Sequence, residues 1–250
     1  MTRIFLTNDD GVNAPGLLAL AQAMRELGDV QVVAPLHNQS AVGHKKTLAQ
    51  GISITETALA DGTPALAVSG SPADCIAFTA LGAAPWPPSL VVSGINRGAN
   101  MSQDITYSGT VTAAFESVIH AVPAVSVSLD NHEADDIALY REAAQIAVRV
   151  ARKVLEKSLP PLTILNLNVP NGGPVKGMRL TRQGIRIYRD ELEQAGNVYR
   201  IVGPAPSGVL DEEGTDLWAV HNGYASLTPI HLDLTAHKFM ADLAAWDLTL

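Results

Sequence analysis

The chain has 250 residues, 47% of them hydrophobic, and a formal charge of −8 from 17 basic and 25 acidic side chains. This is enough apolar material for a sizeable core, and with no lysine or arginine run nothing favours a nucleic-acid backbone or an anionic membrane as partner. A single cysteine, Cys75, excludes an intrachain disulfide. No long apolar stretch follows Arg3, and no window approaches the roughly 20 apolar residues of a membrane span, so the protein reads as cytoplasmic.

In chain order, IFLTN (4–8) reads as a buried strand and APGLLALAQAMREL (14–27) as a helix, with Asn13 as N-cap, Pro15 in the first turn and Gly28 as the stop. VQVVAP (30–35) and ALAVSG (65–70) are strands, and SPADCIAFTALGAA is a helix capped by Ser71 with Pro72 in its first position. Strand LVVSG (90–94), helix TVTAAFESVIHA (110–121), strand AVSVSL (124–129), a long helix over 135–157 and strand TILNLNVP (163–170) complete the series. The alternation predicts an α/β fold: an open, mainly parallel sheet with helices on both faces. After Pro170 the pattern changes to glycines, prolines and short alternating runs. We expect a core over residues 1–170, then a β-hairpin arm and a short helix near 235–245 within 171–250.

Chemistry gathers at the strand ends. TNDDGVNAPG (7–16) puts Asp9 and Asp10 directly after the first strand, where open α/β sheets bind ligands. Two adjacent carboxylates in a crevice repel, and a bound cation removes the cost; oxygen ligands suit magnesium or manganese, with calcium a third candidate. Helix capping by solvated aspartates is the competing explanation. Two further strand ends carry loops rich in small, hydroxyl and amide side chains, residues 36–48 and 95–114. In the second, Asn96 and Asn100 lie among Gly94 and Gly98, and Ser108, Gly109 and Thr110 stand where a helix begins, a phosphate cradle in waiting. Ordinary Ser/Thr capping would explain the last feature alone. A cation beside an anion cradle points to phosphoryl chemistry.

The blocks TNDDGVNAPG, Ala34-Pro35 with Ser40, SGSPADC (69–75), VVSGINRGAN (91–100) and YSGTV (107–111) resemble the signature segments of the SurE family of stationary-phase survival proteins. The match runs from residue 4 to about 130 and returns weakly in GYASLTPIHLDLT (223–235). The resemblance implies a Rossmann-like core and a metal-dependent phosphatase acting on nucleoside 5′- and 3′-monophosphates. It also implies a homodimer or homotetramer formed through exchange of C-terminal elements. Carried over residue by residue, it places the metal ligands at Asp9, Asp10, Ser40 and Asn96 and the phosphate contacts at Asn100, Ser108, Gly109 and Thr110. Asp9, Asp10, Asn100 and Ser108 are then the catalytic set. Ser117 stands where the family often has a glycine after the helix glutamate, which bears on helix packing.

The attacking group is either a water or one of the aspartates acting through an aspartyl-phosphate. His44 is the candidate to protonate the leaving alkoxide, against a solvated loop residue, and His120 reads as structural. A dinucleotide oxidoreductase is disfavoured because GVNAPG lacks the G-x-G-x-x-G spacing, and a P-loop NTPase because Leu17 stands where the lysine should be. A nucleotide-binding module without turnover is the remaining alternative. Tyr188, Tyr199, Trp218 and Tyr224 in the later segment need cover, from their own core or from a second subunit.

Overall fold

Strand β1 (Arg3–Thr7) sets the plan of the molecule, because its side chains alternate between two apolar clusters: Ile4 and Leu6 enter one, Phe5 the other. A strand buried on both faces needs a continuous apolar run and a layer of helices on each side. The computed structural model describes residues 2–246. The first cluster is covered by α1 (Pro15–Met24) and α4 (Arg141–Lys157), the second by α2 (Pro72–Phe78) and α3 (Gly109–Ile119). In α4, Ala143, Ala147, Val150, Ala151 and Val154 face the sheet at helical spacing while the basic side chains stay outside.

Beside β1 the sheet contains β2 (Asp29–Pro35), β3 (Ile54–Ala58), β4 (Pro64–Val68), β5 (Leu90–Arg97), β6 (Ala124–Asp130), β7 (Thr163–Pro170) and the short β8 (Met178–Leu180). The arm adds β9 (Arg186–Ile187), β10 (Glu191–Ala195), β11 (Val198–Val202), β12 (Ser207–Gly208), helix α5 (Asp216–His221), strand β13 (Ala225–His231) and helix α6 (His237–Leu243). The nine-stranded sheet runs β3-β4-β2-β1-β5-β6-β7-β13-β8. β1, β2, β4, β5, β6 and β7 are parallel, β3 is antiparallel to β4, and β13 is antiparallel to β7. The mainly parallel α/β reading holds. The chain builds outward from β1 through β2 to β4, then returns to the other side of β1 with β5. The order therefore reverses between β1 and β5, and the crevice beyond their carboxyl ends is where such folds bind ligands.

Local departures have local reasons. Ala14, not Asn13, is the N-cap of α1, and no side chain caps it; Pro15 has no N–H to satisfy, and Ala14 donates back to the Gly11 carbonyl at 3.0 Å. The helix expected over 135–157 begins as a 3-10 turn at Ile137–Tyr140, started by the Asp136 carboxylate accepting from Ala138. Edge strand β3 went unread because four of its five residues are exposed and carry no apolar alternation. Helix α5, capped by Thr215, is too short for a periodic signal. Strand β13 lies beyond Pro170 in sequence yet belongs to the main sheet. Ser117 is fully buried and donates to the Val122 carbonyl at 3.0 Å, tying the end of α3 to the chain that follows. Trp218 stacks on Tyr224 with ring centroids 6.0 Å apart, and the Arg179 guanidinium lies over Tyr224, so these two aromatics find cover in their own chain; Tyr199 remains exposed.

Candidate active site

The Gly-Pro turn after β1 is set by a close approach. A Cβ at Gly16 would stand 2.1 Å from the Ile95 carbonyl oxygen, so only glycine lets the first turn of α1 lie against β5. Gly11, at φ +103°, bends the chain just after Asp10, and Val12 donates to the Pro35 carbonyl at 2.8 Å. Asp9 and Asp10 are thereby held at the top of the reversal point.

Asp9 is 3% exposed and meets the start of α3 across the crevice. Thr110 donates its backbone N–H to Oδ2 at 3.0 Å and its hydroxyl to Oδ1 at 2.6 Å. Burial pushes the Asp9 carboxyl up to about 6, the Thr110 hydroxyl opposes this, and the neighbouring Asp10 charge adds to it. Asp10 is also raised, mainly by burial, against the Arg97 backbone N–H, which donates to its Oδ2 at 3.0 Å. These two acids carry an energetic cost as anions that a cation would relieve.

The other predicted residues come in from the connections after β2 and β5. After β2, Gln39 donates its N–H to the Asp9 carbonyl at 2.7 Å, Asn38 Nδ2 reaches toward Asp10 at 3.5 Å, and the Asn38 side-chain Oδ1 accepts from the Ser40 N–H at 2.8 Å. Ser40 and Asp10 line one cavity of about 600 Å³ with Asn13, His37, Arg97, His132 and Tyr140. Asn96, at the end of β5, donates Nδ2 to the Gly98 carbonyl at 2.8 Å, which leaves its Oδ1 as the free end. Asn8 Oδ1, next in sequence to Asp9, is a buried acceptor with no hydrogen-bond partner. Among the described residues no group of three or more His, Cys, Asp and Glu side chains converges in a metal-binding arrangement. Two carboxylates, a hydroxyl and an amide oxygen are all hard donors, so the chemistry of Asp9, Asp10, Ser40 and Asn96 would suit magnesium, manganese or calcium.

On the anion side, Ser108 is the N-cap of α3, its Oγ accepting from the Val111 N–H at 3.1 Å, which leaves the hydroxyl proton to donate elsewhere. Gly109 abuts Asp9, and Thr110 is committed to it. Asn100 is 8% exposed and anchored throughout: its N–H donates to Asn168 Oδ1 at 2.8 Å, its Nδ2 to Ser128 Oγ at 2.9 Å, and its carbonyl accepts from Asn166 and Asn168. Asn166 and Asn168 were not singled out from the sequence; two amides on one face of an otherwise apolar strand were the available signal. His44 has no hydrogen bond to Asp9 or Asp10. Its ring meets Glu116 at 3.0 Å and lines a different cavity, together with Ile105, Phe115 and Leu232. His120 is structural, its ring edge-on to Trp86 and 3.2 Å from Glu116.

The family model described as "Survival protein SurE" matches residues 4–190. The chain belongs to the SurE family. SurE relatives named "5'-nucleotidase SurE" include that of Chloroflexus aggregans, 44% identical over 98% of each chain, and that of Pelobacter propionicus, 45% identical over 97% of this chain and 98% of the relative. The crystal structure of the SurE protein from Aquifex aeolicus superposes with a TM-score of 0.81 at 38% identity, covering 96% of this chain and 98% of that one. The SurE fold therefore extends over the β-rich segment as well as the sheet.

Proposed function

We propose that this protein is a divalent-metal-dependent phosphatase that hydrolyses nucleoside 5′-monophosphates, and their 3′ isomers, to nucleoside and inorganic phosphate. The observation that carries the reading is the double hydrogen bond from Thr110 to Asp9, because it joins the buried acid of the cation side to the first turn of the anion-side helix. Curated relatives of near-identical length are named as 5'-nucleotidases, which favours turnover over a binding module.

In this reading Asp9, Asp10, Ser40 and Asn96 hold magnesium or manganese, with calcium a third candidate. When bound, the ion supplies neutralisation of charge developing on the phosphoryl group and acidifies water. The Ser108 hydroxyl, the Gly109 N–H and the Asn100 loop hold the phosphate oxygens at the positive end of α3, while Thr110, whose N–H and hydroxyl both go to Asp9, sets the turn beside them. Water is the nucleophile: Asp9 has both oxygens tied to Thr110 and Asp10 has one tied to Arg97, a poor start for an attacking carboxylate. A cradle that grips only the phosphate leaves the choice of ribose oxygen open, which supports action on both isomers.

The same reading makes the protein a cytoplasmic homodimer or homotetramer assembled through its C-terminal region. Phe239, Met240 and Trp246 in and beside α6 and Tyr199 on the β10–β11 hairpin are about half exposed, and Leu192 and Ile201 on that hairpin are more so, a surface that a second subunit would cover. No described helix is long and apolar enough to cross a membrane. The deciding experiment is release of inorganic phosphate from adenosine 5′-monophosphate with manganese present. Binding without release would leave a nucleotide-binding module.

A further inference from the structure

The connection from β2 to β3, residues 36–53, is longer than the roughly 15 residues beyond which connections without regular structure become uncommon. It is nevertheless pinned at both ends of the stretch that holds Ser40. Upstream, the Gln39 N–H donates to the Asp9 carbonyl at 2.7 Å. Downstream, two buried acids from different helices grip it. Asp74, fully buried in the first turn of α2, accepts from the Thr47 N–H at 2.8 Å and its hydroxyl at 2.9 Å. Glu116, on α3 and 2% exposed, accepts from Lys46 Nζ at 2.7 Å through Oε1 and meets His44 Nε2 at 3.0 Å through Oε2. One turn nearer the start of α3, the Thr112 hydroxyl, whose shorter contact is to the Ser108 carbonyl at 2.7 Å, lies 3.0 Å from the Gly43 carbonyl.

Glu116 is the unusual member. Glu116 lies on the same stripe of α3 as Thr112 and His120, turned to the loop, and a buried carboxylate is costly unless paired; two of its three basic partners come from the loop, and only His120 follows on its own helix. Burial alone would raise its carboxyl, but the His44 and Lys46 contacts outweigh burial and hold it down to about 2. The loop partners, by contrast, are on the water side and need no buried acid.

We propose that Glu116 is a positioning residue for the candidate metal site: by fixing His44 and Lys46 it holds the loop so that Ser40, between two pinned points, faces Asp10. This rests on the metal reading given above. Glu116 touches neither phosphate nor cation, and it acts only through the loop.

The test compares wild type with Glu116→Gln, which keeps the volume and removes the charge, and with Lys46→Ala, a surface change that leaves the core of α3 intact. Each is subjected to limited trypsin digestion, with cleavage after Lys45 followed by mass spectrometry, and to calorimetric titration of the metal-free protein with Mn²⁺. Cleavage is expected to rise at least tenfold in Glu116→Gln and about threefold in Lys46→Ala, with Mn²⁺ affinity falling in the same order. Unchanged cleavage overturns the clamp. Faster cleavage with wild-type Mn²⁺ affinity overturns the positioning role and leaves only a packing one. A wild-type protein that binds no Mn²⁺ sinks the metal reading itself, and the proposal with it, whereas bound wild type and equally bound variants sink this proposal alone.

Discussion

Gly109 and Asp9 touch so closely that a Cβ built on the glycine would lie 2.8 Å from the aspartate Cβ and 3.0 Å from its Oδ2. The helix that begins with Gly109 therefore meets the first strand's carboxylate only because position 109 has no side chain. Alanine is otherwise favourable in a helix, so the cost of Gly109→Ala is one of geometry. We expect the variant to fold, with turnover of adenosine monophosphate lowered more than tenfold, about 1.4 kcal/mol or more. Steady-state kinetics beside circular dichroism checks this, and wild-type turnover would show that Asp9 and α3 need not be in contact.

Asp10 offers the cleaner separation of cation from cradle, because it does not touch α3. Asp10→Asn should stay folded, bind Mn²⁺ at least tenfold more weakly by calorimetry, and lose activity. A chelator should abolish wild-type activity and added manganese or magnesium should restore it. Full activity in Asp10→Asn would remove it from the ligand set.

The two buried acids with opposite shifts give a pH prediction whose sign is fixed. Asp9, raised to about 6 from 3.8, binds its proton more tightly in the fold. Its contribution to stability is present below about pH 4 and is lost as pH rises through 6. Glu116, lowered to about 2 from 4.5, contributes above pH 4.5 and loses this as pH falls toward 2. Cation binding requires the ionised Asp9. The rise in melting temperature caused by Mn²⁺ should therefore be larger at pH 7 than at pH 5, measured by scanning calorimetry against the metal-free protein. An equal rise at both pH values would count against Asp9 as a ligand.

Removal of the chain from residue 232 onward deletes α6 and leaves every candidate ligand in place. If α6 covers a second subunit, the truncated protein should dissociate at lower concentration and lose activity in parallel, as read by light scattering and kinetics on the same samples. A full-length chain that scatters as a 26.3 kDa monomer at full activity would reject the assembly.

Much of the site was legible because it is local in sequence. Asp9 and Asp10 follow a buried strand directly, and Ser108, Gly109 and Thr110 stand where periodic residues of a helix begin, so strand end and helix start could be placed from residue pattern alone. Asn13, with Pro15 placed in the first turn, misled because the helix starts only at Pro15, so Ala14 takes the cap position and no side chain caps it. His44 misled because its partner, Glu116, is 72 residues away and buried in a helix whose pattern reads as core.

What the sequence determined by itself was the layering. The apolar run of β1 and the helical spacing in α4 each state which faces must be buried, and burial of apolar surface is strong enough to make that local statement binding. The pairing of polar groups came only with the assembled fold. That fold set Thr110 on Asp9, Asn166 and Asn168 on Asn100, the loop of Ser40 on Glu116 and Asp74, and β13 beside β7. A hydrogen bond needs its partner within about 3 Å at a good angle. No pattern along one segment specifies that distance across the crevice; it exists only after the sheet order has brought the segments together.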